Sequence, residues 1–115
     1  MFYITVDRKF CAGHFLKRYK GKCKNPHGHT WKVAVKLQYT KLNKIGLAVD
    51  FKKVKKELDK ILPDHKFLNE IYSFNPTAEN LAEYFYTKLK KKFKKHLVSV
   101  RVWESSEASC EYTEN

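Results

Sequence analysis

Phe2, Ile4 and Val6 alternate with Tyr3, Thr5 and Asp7, and Phe10, Ala12 and His14 keep the same parity. A period of two belongs to a strand with one face turned to a core, so the pattern predicts a first strand that delivers His14 at its end. A polar, glycine-containing stretch from Lys17 to Gly28 follows. Trp31, Val33, Val35, Leu37 and Tyr39 then alternate with Lys32, Ala34, Lys36, Gln38 and Thr40, a second strand with one apolar and one polar face. From Asp50 the period lengthens: Phe51, Val54, Leu58 and Ile61 mark one stripe of a helix that Asp50 is placed to cap and that ends near Pro63. A second helix starts around Asn75-Pro76-Thr77, carries Ala78, Leu81, Ala82, Phe85, Leu89 and Phe93 as its stripe, and runs to about Lys95. Val98, Val100 and Val102 form a third strand, and Ala108, Cys110 and Tyr112 a fourth after a turn at Ser105-Ser106.

The order is therefore ββααββ, an α+β fold in which two helices cover one face of a four-stranded antiparallel sheet. An open sheet leaves edges that invite pairing with another chain, so a homo-oligomer is expected.

Composition narrows the class. The 115 residues make one domain, 1–115, and a 43% hydrophobic, 15% aromatic content places the chain among folded proteins despite 31% charged residues. No apolar run approaches the roughly 20 residues of a membrane span, and the start lacks the layout of a signal peptide, so a soluble cytoplasmic protein is expected. Three cysteines with no CxxC spacing disfavour both a disulfide framework and a cysteine-rich zinc knuckle. Cys11 and Cys110, on strand patterns, read as core residues. The net charge of +12 attracts anions of any kind. Much of it lies in Lys52–Lys56 and Lys88–Lys95, where helical spacing points to a solvated outer face.

Candidate chemistry sits in a few residues. His27 and His29, at i and i+2 on a strand, point to the same side, and His14 at the end of the neighbouring strand supplies a third imidazole. Three neutral nitrogens with a fourth position open is the layout of catalytic zinc. Cys23 lies in the lysine-rich segment Lys20-Gly21-Lys22-Cys23-Lys24, where nearby cations and a metal favour the thiolate; an inert loop cysteine fits the same composition. Asp64-His65, between the helices, suits a proton relay or, equally, a turn cap beside a surface histidine. His96, after the lysine run, reads as a favourable charge at a helix end. Glu104 shares parity with Val98, Val100 and Val102, which puts a carboxylate at the end of an apolar face; either it has a donor partner there or the strand has frayed and it is solvated.

The motifs Phe10-Cys11-Ala12-Gly13-His14, Cys23-Lys24-Asn25-Pro26-His27-Gly28-His29, Val49-Asp50-Phe51, Asp64-His65 with Leu68-Asn69, Asn75-Pro76-Thr77-Ala78-Glu79-Asn80 and Trp103-Glu104 together resemble the 6-pyruvoyltetrahydropterin synthase / 6-carboxytetrahydropterin synthase family. The resemblance implies the tunnelling fold, in which ββααββ protomers join their sheets into a barrel, usually a hexamer of two stacked trimers. It implies zinc held by His14, His27 and His29, Cys23 as catalytic base, Asp64 and His65 as relay, and Glu104 as the anchor of the pterin ring. With active sites between subunits, it places Thr77 and Glu79 against the pterin of a neighbouring chain. The three-residue gap between Cys23 and His27, the short chain and Leu68-Asn69 are similar to the bacterial and archaeal 6-carboxytetrahydropterin synthases. Gly13 departs from a frequent alanine, and Pro63 from the usual leucine.

The reaction so implied converts 7,8-dihydroneopterin triphosphate to 6-carboxy-5,6,7,8-tetrahydropterin, releasing acetaldehyde and triphosphate, on the route to queuosine and other 7-deazaguanines. The basic loop of Lys17, Arg18, Lys20, Lys22 and Lys24 suits the triphosphate. The nearest alternative is the sister activity on the same fold, 6-pyruvoyltetrahydropterin synthesis by triphosphate elimination without breaking the side-chain carbon bond. A basic nucleic-acid-binding module with structural zinc would also use the charge, but leaves Glu104 and the open metal position without a role.

Overall fold

The computed structural model describes residues 1–114, apart from the side chain of Cys23. Strand β1 (Phe2–His14) pairs antiparallel with β2 (His27–Tyr39) over thirteen consecutive positions, from Phe2 opposite Tyr39 to His14 opposite His27. Helix α1 (Phe51–Ile61) follows, then a two-residue strand β3 (Lys66–Phe67), a single helical turn α2 (Leu68–Ile71) and the long helix α3 (Ala78–Phe93). Strands β4 (Leu97–Ser105) and β5 (Ala108–Tyr112) close the chain, and the sheet order is β3-β1-β2-β4-β5.

The apolar parity of the strands becomes the core face of this sheet. Val6, Phe10 and Ala12 from β1, Trp31, Val33, Val35 and Leu37 from β2, and Val100 and Val102 from β4 are all buried against Val54 and Leu58 of α1 and Leu81, Phe85 and Leu89 of α3. Phe10 stacks on Trp31 with centroids 5.9 Å apart and meets Phe85 edge-on at 6.2 Å. The indole N–H of Trp31 is satisfied by the Ala12 carbonyl at 3.2 Å, so a large polar-tipped ring can sit fully inside. The lysines of α1 and α3 lie on the outer faces, as their spacing requires.

Both main helices start on side-chain caps. Asp50 accepts the Lys52 N–H at 2.9 Å, and Thr77 accepts the Asn80 N–H at 3.1 Å. Removing the first cap, Asp50→Ala, should lower stability by about 1 kcal/mol, read as a lower urea midpoint with an unchanged slope.

Four expectations need correction. The sheet has five strands and is mixed, because β3 pairs parallel to β1 at Ala12–Lys66 and Gly13–Phe67. A two-residue strand has no readable period; it exists because the free edge of β1 offers unpaired backbone groups, and the chain leaving α1 runs along them. Cys11 is exposed rather than a core residue, since it alternates with buried Phe10 and Ala12 and so projects from the open face of the sheet. Cys110 does pack against the core. Helix α3 also stops at Phe93, two residues short of expectation, and a 3-10 turn from Lys94 to His96 leads into β4. There His96 stacks on Tyr39 with ring centroids 4.1 Å apart and its Nδ1 meets the Gln38 carbonyl at 2.9 Å, so it is a packing residue.

Candidate metal centre and active site

Three imidazoles meet where β1 and β2 end together. Their register sets His14 opposite His27 and Ala12 opposite His29, so all three rings fall on the core face of the sheet beside Trp31. Ring centroids are 4.5 Å apart for His14 and His27, 5.1 Å for His14 and His29, and 4.7 Å for His27 and His29. Glu104 joins them from β4. The sheet register slips between Trp103 and Ser105, and a bulge of this kind re-aims the side chain it carries. Glu104 Oε1 lies 3.0 Å from His29 Nε2 and 3.8 Å from His14 Nε2. The parity reading of Glu104 as a carboxylate on the apolar face thus holds; that its partners are the histidines was not read from the sequence, although its parity and theirs match.

The outer nitrogens of two rings are already engaged. His14 Nδ1 faces the Pro76 carbonyl at 2.7 Å and His27 Nδ1 faces the Asn25 carbonyl at 2.8 Å. A carbonyl only accepts, so each ring carries a proton on Nδ1 and, in the neutral form, presents its lone pair at Nε2. His14 Nε2 and His29 Nε2 are buried without a hydrogen-bond partner. Burial of such nitrogens is costly unless something accepts their lone pairs. One donor atom from each of His14, His27, His29 and Glu104 lies within 4.8 Å of the others, so the group could hold a metal ion. The donor chemistry fits one: three imidazoles, two of them oriented by backbone acceptors, with a carboxylate alongside.

Electrostatics agree. Burial pushes the His14 and His29 imidazoles below the usual 6.5, an effect opposed by the Pro76 carbonyl and Glu104 at His14 and by Glu104 at His29. Both rings therefore stay neutral near pH 7. Between their native values and 6.5 the unfolded chain binds more protons than the folded one, so stability from this source is full above about pH 6.5 and is lost as pH falls through the native values. The metal-free protein should melt at progressively lower temperature from pH 7 to pH 5, and a His29→Gln variant should show a shallower fall in thermal scans.

Asp64 and His65 sit on the outer edge of β1. Asp64 Oδ1 accepts the Cys11 N–H at 2.9 Å, His65 donates its N–H to the Cys11 carbonyl at 2.6 Å, and His65 Nδ1 lies 3.0 Å from Asp64 Oδ2. The Cys11 N–H, with His65 in second place, holds the Asp64 carboxyl below its ordinary range. His65 adopts φ of 57°, a left-handed conformation that costs a non-glycine residue about 1 kcal/mol or more. The backbone bond to Cys11 holds it there. The pair's side chains are 54% and 81% exposed, so they are joined to each other and open to an approaching group. Thr77 is engaged as the α3 cap and Glu79 is exposed on the first turn of that helix. Lys22–Lys24 form a 3-10 turn between β1 and β2; the side chain of Cys23 within it lies outside the described residues.

No helix among the described residues is long and apolar enough to cross a membrane. The chain is 30% identical to the 6-carboxy-5,6,7,8-tetrahydropterin synthase of Haemophilus influenzae, across 99% of this chain and all of that one. It is 30% identical to the enzyme of the same name from Synechocystis, across 97% of this chain and 93% of that one. The structure of Caenorhabditis elegans 6-pyruvoyl tetrahydropterin synthase superimposes with a TM-score of 0.83 at 29% identity, covering 100% of this chain and 98% of that one. The α+β architecture is thus the tunnelling fold of the pterin synthases. The family model for 6-pyruvoyl tetrahydropterin synthase matches residues 3–115, nearly the full length over which the histidine-bearing strands, the capped helices and Glu104 are laid out, and the chain belongs to that family of pterin-synthesising enzymes.

Proposed function

We propose that this chain is a zinc-dependent 6-carboxytetrahydropterin synthase, a lyase that converts 7,8-dihydroneopterin triphosphate to 6-carboxy-5,6,7,8-tetrahydropterin with release of acetaldehyde and triphosphate, on the route to queuosine and other 7-deazaguanines. The observation that carries the reading is the set of converging, pre-oriented imidazoles on a chain similar along its whole length to enzymes of that name.

His14, His27 and His29 would hold the ion. When bound, zinc supplies Lewis-acid polarisation of the substrate's side-chain hydroxyls. Cys23, between Lys22 and Lys24, is the base: flanking ammonium groups favour its thiolate. Asp64 orients His65, and that exposed pair relays protons to and from the thiolate, the aspartate fixing the ring's Nδ1 so that Nε2 faces outward. Glu104 anchors the pterin, whose guanidine edge offers a carboxylate two parallel N–H donors. Thr77 and Glu79 hold the pterin of a neighbouring chain, which fits a homohexamer of two stacked trimers built from single-domain protomers spanning 1–115. The exposure of the Asp64–His65 pair suits a site completed across such an interface. The lysines of the 17–24 segment meet the triphosphate.

A second reading is 6-pyruvoyltetrahydropterin synthesis, favoured by the match to the nematode enzyme. Incubating zinc-loaded protein with dihydroneopterin triphosphate and following products by mass spectrometry separates the two. Carboxy product with acetaldehyde supports the proposal, a pyruvoyl product moves the chain to the sister activity, and no turnover by metallated protein rejects both.

A further inference from the structure

β1 ends at His14, yet its outer edge continues to be paired. Phe15 donates its N–H to Asn69 Oδ1 at 2.8 Å and accepts from Asn69 Nδ2 at 3.1 Å. Two residues on, Lys17 donates to Asn75 Oδ1 at 2.9 Å and accepts from Asn75 Nδ2 at 3.3 Å. A primary amide carries an acceptor and a donor side by side, as a backbone residue does. The spacing of two residues between the clasps is that at which a strand edge turns its N–H and C=O outward. Side-chain amides thus prolong the pairing that β3 begins at Ala12 and Gly13.

Asn75 is tied by its backbone as well. Its carbonyl accepts from Asn80 Nδ2 at 2.9 Å and from the Thr77 N–H at 2.8 Å. Pro76 lies buried between Asn75 and the helix cap Thr77, and its carbonyl is the acceptor that meets His14 Nδ1. The acceptor that decides which nitrogen of His14 keeps a free lone pair is therefore held in place one residue from the Asn75 clasp. Lys17, on the other side of that clasp, is where the segment carrying Cys23 leaves the sheet.

We infer that Asn69 and Asn75 are positioning residues for the histidine centre: their amide clasps lock the exit of β1 to the 68–77 segment, keeping the Pro76 carbonyl on His14 Nδ1 and Nε2 turned to the other donors. The consequence for metal binding rests on the zinc reading above; the consequence for the His14 tautomer does not. Aspartate has the shape of asparagine but, ionised, only accepts, so Asn75→Asp sets an oxygen against the Lys17 carbonyl and opens the clasp.

The test is nitrogen NMR of 15N-histidine-labelled protein without zinc, with His14 identified from a His14→Gln sample, alongside chelator competition for zinc. Wild type should show His14 as one tautomer protonated at Nδ1. Asn75→Asp should show a mixture and bind zinc about ten-fold more weakly, with Asn69→Asp moving both readouts the same way by less. A merely structural role would lower the melting temperature while leaving both readouts of the folded protein unchanged, and that result overturns the inference. Should Asn75→Asp fail to fold, Asn69→Asp decides by the same criterion. Wild-type protein that takes up no zinc would refute the zinc reading, and the tautomer comparison would still decide the clasp.

Discussion

His29→Ala should yield a folded protein that binds zinc about 10²–10³-fold more weakly: structural sites with four ligands bind at ~10–16 kcal/mol, roughly 2.5–4 kcal/mol per ligand, and His29 is one of three proposed protein donors here. His29 is the informative choice among the three histidines because its side chain is 24% exposed, whereas that of His14 is fully buried. Truncating His14 would also leave a void and an unpaired Pro76 carbonyl, so stability and metal affinity would fall together. At His29 the two separate. Turnover of dihydroneopterin triphosphate at sub-saturating zinc should fall in step with affinity, and excess zinc should restore part of it. A His29→Ala protein with zinc affinity within a few-fold of wild type would remove this residue from the donor set and leave the role to Glu104.

Cys23→Ala should do the opposite: zinc affinity unchanged, kcat down by about 10²–10⁴-fold, the range for losing a positioned general base. On the proposed reading Cys23 acts as the thiolate, the form that neighbouring cations such as Lys22 and Lys24 would favour. Substrate KM should move little, because the base acts on protons in flight rather than on ground-state binding. Asp64→Asn gives the companion result. It keeps the shape but loses the charge beside His65, so the pH profile of kcat should shift while metal content stays intact. If Cys23→Ala retains wild-type kcat, proton removal belongs to another group, and His65 becomes the first candidate.

The main elements were legible because each is long enough to show its period. Thirteen residues of β1 and of β2, eleven of α1 and sixteen of α3 carry enough apolar positions to distinguish two from 3.6. The histidines were legible for the same reason, since parity along two strands places His14, His27 and His29 on one face before any register is known. Cys11 shows the cost of reading a strand without its parity: its neighbours are buried and it is not. β3 and α2, at two and four residues, fall below the length at which a period exists.

What the sequence determined by itself is which residues share a face, because backbone periodicity is a local property of consecutive residues. What only the tertiary structure decided is which backbone atoms meet those faces. The Pro76 and Asn25 carbonyls that set two histidine tautomers, the Asn69 and Asn75 clasps at the exit of β1, and the Cys11 edge that holds Asp64 and His65 join groups up to 62 residues apart, or turn on a single bend of the chain. Every residue offers the same carbonyl and nearly every one the same N–H, so no residue type marks the one that will be used; the path of the folded chain does.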